Sequence, residues 1–190
     1  MSVWFTADTH FGHARVIAFC RGPFLSVGEM DAALIRNWNV RVQPSDAVYH
    51  LGDFSFGDKA AVRRYRERLN GRINLVRGNH EKKSRDFNGI FESVADLSEI
   101  TITVAGAGQR VALCHYAMRV WPHSHHRRWH LYGHSHGTLR DDPHALSLDV
   151  GEDCWDYAPV SAAQILRKMA AKEWRPVDHH GRGETEESAS

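Results

Sequence analysis

Short apolar runs alternate with helix-length amphipathic stretches through the first half of the chain. Runs of this length, bounded by polar or glycine residues, are typical of buried strands. Ser26 with Glu29 three residues later is a capping-box pattern, and Asn70-Gly71 is a typical helix stop. The pattern predicts strands over 3–7, 47–51 and 73–76, and helices over 14–20, 26–40 and 59–69.

The pattern changes after position 87. Alternating apolar and polar residues with β-branched enrichment over 98–104, and alternation again over 110–114, predict a hairpin with its turn at 106–109. Further strands are predicted over 129–132 and 145–150, and a final capped helix over 161–171. Early βαβ units followed by antiparallel strands indicate an α/β or α+β layered fold. We predict a single domain over 1–177, and a disordered tail over 178–190, where Gly, Glu and Ser dominate.

Composition and charge indicate which partners and which cellular compartment to expect. The 190 residues carry 24 Lys and Arg against 23 Asp and Glu, so no overall field draws the chain to nucleic acid or to an anionic membrane. No stretch approaches the roughly 18 apolar residues of a membrane span. The N-terminus shows no leader pattern. Three cysteines without CxxC spacing are typical of a reducing compartment, so we expect a cytoplasmic protein with small, buried cysteines.

Candidate metal ligands cluster behind five of the predicted strands. Strands that end at one edge of a sheet bring their following loops together, so we expect these side chains to meet. Nearby glycines would let the backbone approach an ion closely. The residues are Asp8 and His10 after the first strand, Asp53 after the second, Asn79 and His80 after the third, His115 after 110–114, and His134 and His136 after 129–132.

The residue types indicate which metals would fit. Imidazole and carboxylate without thiolate favour Mn, Fe, Zn, Ni or Co. Asp8 and His10 stand two residues apart, so in extended backbone both side chains would face one ion. His134 and His136 share that spacing, although they could also serve different ions. The ligands are too many for one tetrahedral site and suit two cations that share a carboxylate.

Five ordered motifs carry a family resemblance. They are Asp8-Thr9-His10, Gly52-Asp53, Gly78-Asn79-His80, His115 and Gly133-His134-Ser135-His136. In this order they resemble the motif blocks of the calcineurin-like metallophosphoesterases. The segments 9–13 and 21–24 are similar to a small bacterial and phage branch. The resemblance implies a four-layer αββα fold, a β-sandwich of two mixed sheets flanked by helices. It also implies phosphoester hydrolysis by a hydroxide that bridges two divalent metal ions, with manganese the first expectation.

The resemblance also implies residue roles. Asp8, His10 and His136 would bind one metal; Asn79, His115 and His134 would bind the other. Asp53 would bridge both, and His80 would act as the general acid. His13 and Arg77 are weaker candidates for contacting the substrate phosphate. His50 is predicted to lie in a strand, where it could contact and orient a metal ligand without binding metal itself.

The substrate and the partners remain open at this level. A phosphate ester is the expected partner, with a phosphodiester favoured over a monoester because the short chain has no specificity domain. The basic, aromatic segment 123–130 raises the alternative of a nuclease acting on DNA or RNA ends. A non-catalytic scaffold with the same fold is a further alternative, although His80 and every candidate ligand are retained. The sequence does not predict the oligomeric state.

Overall fold

The computed structural model of the protein describes residues 1–20, 22–81, 87 and 89–177. The predicted tail at 178–190 lies outside the described residues. Within the described part there are nine strands and four α-helices. The strands are β1 (Val3–Thr6), β2 (Ala47–His50), β3 (Arg72–Val76), β4 (Ser93–Ala95), β5 (Leu97–Val104), β6 (Ala107–Cys114), β7 (Trp129–Tyr132), β8 (Ser147–Asp149) and β9 (Val160–Ser161). The helices are α1 (Ala14–Cys20), α2 (Val27–Arg41), α3 (Lys59–Arg66) and α4 (Ala162–Ala170).

Two mixed sheets make up the centre of the fold. The first has the order β4-β3-β2-β1-β9, in which β1 to β4 are parallel and β9 is antiparallel. The second has the order β5-β6-β7-β8, with an antiparallel β5–β6 hairpin and parallel pairs after it. The predicted fold of two mixed sheets with helices is therefore confirmed.

Two apolar clusters hold these layers together. One cluster joins buried residues of both sheets, such as Phe5 and Leu113, with Ile165 of α4. The other packs the first three helices onto the first sheet, with Trp38 of α2 and Ile73 of β3 among its members. The first sheet is therefore covered on both faces, which explains why its strands read as continuous apolar runs.

Local signals in the sequence account for the helix starts. The Ser26 hydroxyl accepts a hydrogen bond from the Glu29 amide at the start of α2. Ser161 and Gln164 form the predicted reciprocal capping box of α4. Helix α3 ends at Arg66, three residues before the predicted end, because the chain turns there toward Gly71. None of the helices in the described part is long and apolar enough to cross a membrane.

Two predictions about the strands need correction. The hairpin turn is at Ala105-Gly106 rather than 106–109, with φ of 50° and 78°, and Val104 pairs with Ala107. A two-residue turn with both φ values positive matches the twist of a hairpin, so strand β6 begins earlier than predicted. Strands β4 and β9 were not predicted, because they have only three and two residues and no apolar run.

The cysteine prediction is also partly wrong. All three cysteines are free thiols, as expected, but Cys154 is exposed and the other two are only partly buried. None of them is the fully buried apolar residue that the sequence suggested.

His130 is a buried core residue, not part of a solvated loop. It lies in β7 with no exposed surface, and its ring nitrogens are 3.1 Å from the Ala112 carbonyl and 3.2 Å from the Tyr116 carbonyl. Burial lowers the pKa of His130 from 6.5 to about 4, in spite of these two acceptors. At pH values between these two pKa values, His130 is therefore neutral in the folded protein but protonated in the unfolded chain.

This difference predicts how folding stability depends on pH. The contribution of His130 is fully present above pH 6.5, the pKa when unfolded, and is lost as pH falls toward its folded value of about 4. At pH 5 the loss is about 2 kcal/mol, since each pH unit corresponds to about 1.4 kcal/mol. Urea unfolding of metal-free protein at pH 7.5 and pH 5 should show that His130→Gln loses about 2 kcal/mol less than wild type. His126→Gln, an exposed control, should behave like wild type, and an unchanged pH dependence in His130→Gln would contradict the assignment.

Candidate metal centre

The candidate ligands lie on five loops at one edge of the two sheets. These loops follow β1, β2 and β3 in the first sheet, and β6 and β7 in the second. Backbone hydrogen bonds join them: the Asp8 amide donates to the Gly52 carbonyl at 3.0 Å, and the Gly133 amide donates to the His115 carbonyl at 3.0 Å. Between the two sheets, the His134 amide donates to the Asp8 Oδ2 at 2.8 Å, so their loops meet, as the sequence predicted.

The backbone at these positions differs from the prediction. Five of the candidate ligands have left-handed backbone, with φ of 60° at Asp8, 42° at His10, 56° at Asp53, 69° at His134 and 47° at His136. The expectation that an extended backbone makes the i, i+2 pairs chelate is therefore wrong. Such conformations cost of order 1–3 kcal/mol each and typically occur at functional sites.

One group of ligand atoms comes from Asp8, His10 and His136, whose donor atoms all lie within 4.8 Å of one another. The Asp8 Oδ2 accepts a hydrogen bond from the His134 amide at 2.8 Å. The Asp8 Oδ1 and the His10 Nε2 are buried and have no hydrogen-bond partner among the described residues. Unsatisfied buried polar atoms are costly, and a cation would satisfy both.

A second group of ligand atoms comes from Asp53, His115 and His134, again within 4.8 Å. The His115 Nδ1 lies 2.7 Å from the Leu51 carbonyl, which can only accept, so the proton of the neutral ring is on Nδ1. The lone pair on Nε2 then faces the Asn79 Oδ1 at 3.0 Å and the Asp53 Oδ2 at 3.6 Å. Three acceptors therefore converge with no proton between them.

Asp53 lies between the two groups. Its Oδ2 is 3.6 Å from the Nε2 atoms of both His10 and His115, and 3.8 Å from the His80 Nε2. Its Oδ1 accepts a hydrogen bond from the His80 amide at 2.9 Å, which fixes the carboxylate plane. One oxygen of Asp53 can therefore contact ions in both groups.

Burial sets the protonation of these ligands. It removes the solvation that an anionic carboxylate needs, so the pKa of Asp8 is raised well above its usual value. It lowers the pKa of His10 to about 2 and also lowers that of His115, which keeps both rings neutral. Neutral imidazole is the form that binds metal.

Glycines next to the candidate ligands leave room for the ligand side chains, because they have no Cβ atom. A Cβ added at Gly78 would lie 2.3 Å from the Asp53 Oδ1, and one at Gly133 would lie 2.6 Å from the Asp8 Oδ2. A Cβ at Gly52 would lie 2.6 Å from the His115 Nδ1. The unpartnered atoms, the donor types and this close packing all fit a pair of divalent cations.

The structure reveals supporting residues that the sequence did not. Glu81 accepts hydrogen bonds from the amides of Asp53, Phe54 and Gly78 at 2.7, 2.7 and 2.8 Å, which ties the second and third loops together. Its position directly after His80 is the one local signal that could have pointed to it. The fully buried His50 lies 2.9 Å from the Thr9 hydroxyl, so it supports the first loop.

Asp153 is the second residue that sequence reasoning missed. Its Oδ2 lies 2.5 Å from the His136 Nδ1, although it is seventeen positions away along the chain. Burial alone would lower the pKa of His136, but this hydrogen bond and the nearby Asp8 raise it. Cys20 is in the same neighbourhood, but burial raises its pKa to about 12, so a thiolate ligand is disfavoured.

The remaining candidates fall into separate places. The His13 ring lies 5.4 Å from His10 and 5.5 Å from His80, so it borders the site. Arg77 is 3.4 Å from Asp96, and its role toward phosphate stays a prediction.

The segment 123–130 does not extend over the site. It leads into β7 and supplies the first two residues of that strand, whereas the site follows the carboxyl end of β7, and Arg128, Trp129 and His130 are buried. The Gln109 side chain, near the start of β6, donates to the Arg127 carbonyl at the same end of the sheet.

Comparison with known proteins agrees with this arrangement. A family model described as the calcineurin-like phosphoesterase superfamily domain matches residues 1–162. The chain belongs to this family. Because all five ligand loops lie within the matched range, the site is part of the calcineurin-like domain itself.

Similar proteins share this calcineurin-like domain over most of their length. An uncharacterized protein of Methanocaldococcus jannaschii is 32% identical over 176 residues, covering 87% of this chain and 89% of the relative. The gene 66 protein of Mycobacterium phage L5 is 30% identical, covering 81% of this chain and 87% of its own. The crystal structure of a protein of unknown function from Aquifex aeolicus matches with a TM-score of 0.63 at 23% identity. It covers 88% of this chain and 98% of that one, and it supports the fold.

The Asp153 contact predicts a measurable effect on metal binding. Asp153→Asn replaces the carboxylate that accepts the hydrogen bond from the His136 Nδ1 with a neutral amide, so Mn²⁺ affinity should fall by about 10- to 100-fold. Isothermal titration of metal-free protein at pH 7.5 would measure this. Asp156→Asn makes the same change at an exposed position of the same loop and should bind Mn²⁺ like wild type. Equal affinities in the two variants would show that Asp153 does not orient His136.

Proposed function

We infer that the protein is a metal-dependent phosphodiesterase with a two-cation centre. The observation that carries this proposal is the convergence of ligand atoms around the Asp53 Oδ2, which lies 3.6 Å from the Nε2 atoms of both His10 and His115. One ion would be held by Asp8, His10 and His136, the other by Asn79, His115 and His134, and both by Asp53. When bound, such a pair supplies Lewis-acid activation of water and charge stabilisation for the phosphoryl group.

The charges of the ligands suit an anionic substrate. Asp8 and Asp53 supply two negative charges against the four positive charges of two divalent ions, which leaves roughly +2 for a phosphate ester. The other ligands are neutral imidazoles and one amide. The site therefore attracts phosphate without further lysine or arginine ligands.

We assign the role of general acid to His80. Its amide is tied to the Asp53 Oδ1, while its side chain remains 33% exposed and can face the substrate. The ring lies 5.1 Å from His10, next to the two ligand groups but outside both of the sets assigned to the metals. An imidazole can donate a proton to a leaving alkoxide near neutral pH.

Three finer points belong to this proposal. We favour a diester because the site opens to solvent beside His134 and His136, along a cavity of about 750 Å³. Manganese is the preferred ion because the ligand set contains imidazole, carboxylate and amide oxygen but no thiolate. We place the protein in the cytoplasm, where the three free cysteines stay reduced.

The nuclease alternative loses the observation on which it rested. The segment 123–130 lies at the opposite end of β7 from the ligand loops. A preference for nucleic-acid ends therefore gains no support from that segment.

The proposal predicts hydrolysis of bis-p-nitrophenyl phosphate by protein loaded with Mn²⁺. His80→Ala should lower kcat by about 10²- to 10⁴-fold, the range expected for loss of a general acid, while bound metal measured by plasma emission is unchanged. His144→Ala, at a histidine whose ring lies 3.0 Å from the Glu173 carbonyl, is the control and should keep the wild-type rate. Full activity in His80→Ala would reject the acid role, and wild-type protein that bound no transition metal would reject the whole proposal.

A further inference from the structure

We propose that the cavity beside His80, lined by Phe56, His13 and Arg15, binds the leaving group of the substrate, and that it selects a nucleoside over a simple alcohol. This inference rests on the proposed function, because the acid must lie next to the oxygen that departs. Apart from His80, the residues of this cavity lie outside the five metal-ligand motifs.

The position of the cavity follows from ring contacts around His80. The His80 ring lies 5.5 Å from His13 and 6.4 Å from Phe56. A cavity of about 480 Å³ opens there, lined by Gly12, His13, Ala14, Arg15 and Phe56. A general acid acts within about 3 Å of the oxygen that it protonates. Atoms attached to that oxygen therefore extend into this cavity.

Phe56 offers a flat surface in this cavity. Its ring is stacked on His13 with centroids 4.7 Å apart and planes 11° from parallel, and 54% of the residue is exposed. The stack covers one face of Phe56 and leaves apolar surface open toward solvent. Exposed aromatic faces of this kind stack on nucleic-acid bases.

The backbone holds this ring in place before any ligand binds. The Phe56 amide donates to the Phe11 carbonyl at 2.8 Å, and Phe11 pairs with Ser55 in a short parallel bridge. Gly57 follows with φ of 121°, where a Cβ would lie 2.9 Å from the Ala61 Cβ. A platform fixed in this way binds with a smaller loss of conformational entropy.

Arg15 adds charge to the same cavity. It is exposed at the start of α1 and lines the cavity beside His13. A guanidinium next to an aromatic platform suits a leaving group that carries both a flat ring and a phosphate. A nucleotide leaving group has both features and a nucleoside has the ring, whereas methanol has neither.

A matched pair of diesters tests this selection. Thymidylyl-(3′→5′)-thymidine and thymidine 3′-methyl phosphate share the same thymidine 3′-phosphoryl group and differ in the alcohol that leaves. With Mn²⁺-loaded protein, wild type should cleave the dinucleoside ester at the 5′-oxygen with the higher kcat/KM. Phe56→Leu should lower kcat/KM for that ester by about tenfold, and Phe56→Tyr should restore it, because stacking needs the ring. Release of methanol from the methyl ester should be equal in wild type and both variants.

Two further measurements separate the explanations. Phe19→Leu removes an exposed ring that lines the separate cavity beside His136, and it should leave the ratio of the two kcat/KM values as in wild type. If Phe56→Leu slows both esters equally, Phe56 only supports His80 and the subsite is rejected. If wild type cleaves bis-p-nitrophenyl phosphate but does not prefer the dinucleoside ester, the subsite fails and the phosphodiesterase proposal stands. If wild type cleaves none of these esters, the proposed function fails as well.

Discussion

The arrangement of the site depends on one electrostatic constraint, the convergence of unprotonated acceptors at the edge of the sandwich. The Leu51 carbonyl fixes the proton of His115 on Nδ1, so its Nε2 lone pair must face the oxygens of Asn79 and Asp53. Across Asp53, the buried His10 Nε2 and Asp8 Oδ1 have no hydrogen-bond partner in the described part of the chain. A cation at this edge would satisfy these buried polar atoms and would offset the cost of burying the carboxylates.

The rest of the fold can be understood as support for that arrangement. Parallel strands of both sheets deliver the ligand loops to one edge, and glycines let those loops pack within contact distance. Left-handed backbone at five ligands turns their side chains inward at a conformational cost. The burial of Trp38, Ile73 and Leu113 in the two apolar clusters stabilises the fold and offsets that conformational cost. The closely packed core also leaves the loops little freedom to relax.

The two sides of the site have different chemistry. On one side, His134 and His136 line an open cavity. On the other side, the stacked rings of His13 and Phe56, both near His80, line a smaller cavity together with the cationic Arg15. The surroundings of the site are therefore asymmetric, and short loops of the domain form them.

Much of this protein could be predicted from its sequence, because the relevant signals are local. Apolar periodicity fixed the main strands, the Ser161 capping box fixed the start of α4, and polar residues behind five strands indicated the ligand set. The remaining features depend on contacts between residues that are distant in the chain. The left-handed backbone at Asp8, the proton position on His115, the hydrogen bond from His136 to Asp153 and the burial of His130 arise only when the two sheets pack. Local sequence cannot encode a conformation or a tautomer that a distant partner imposes, and tertiary structure therefore decides those points.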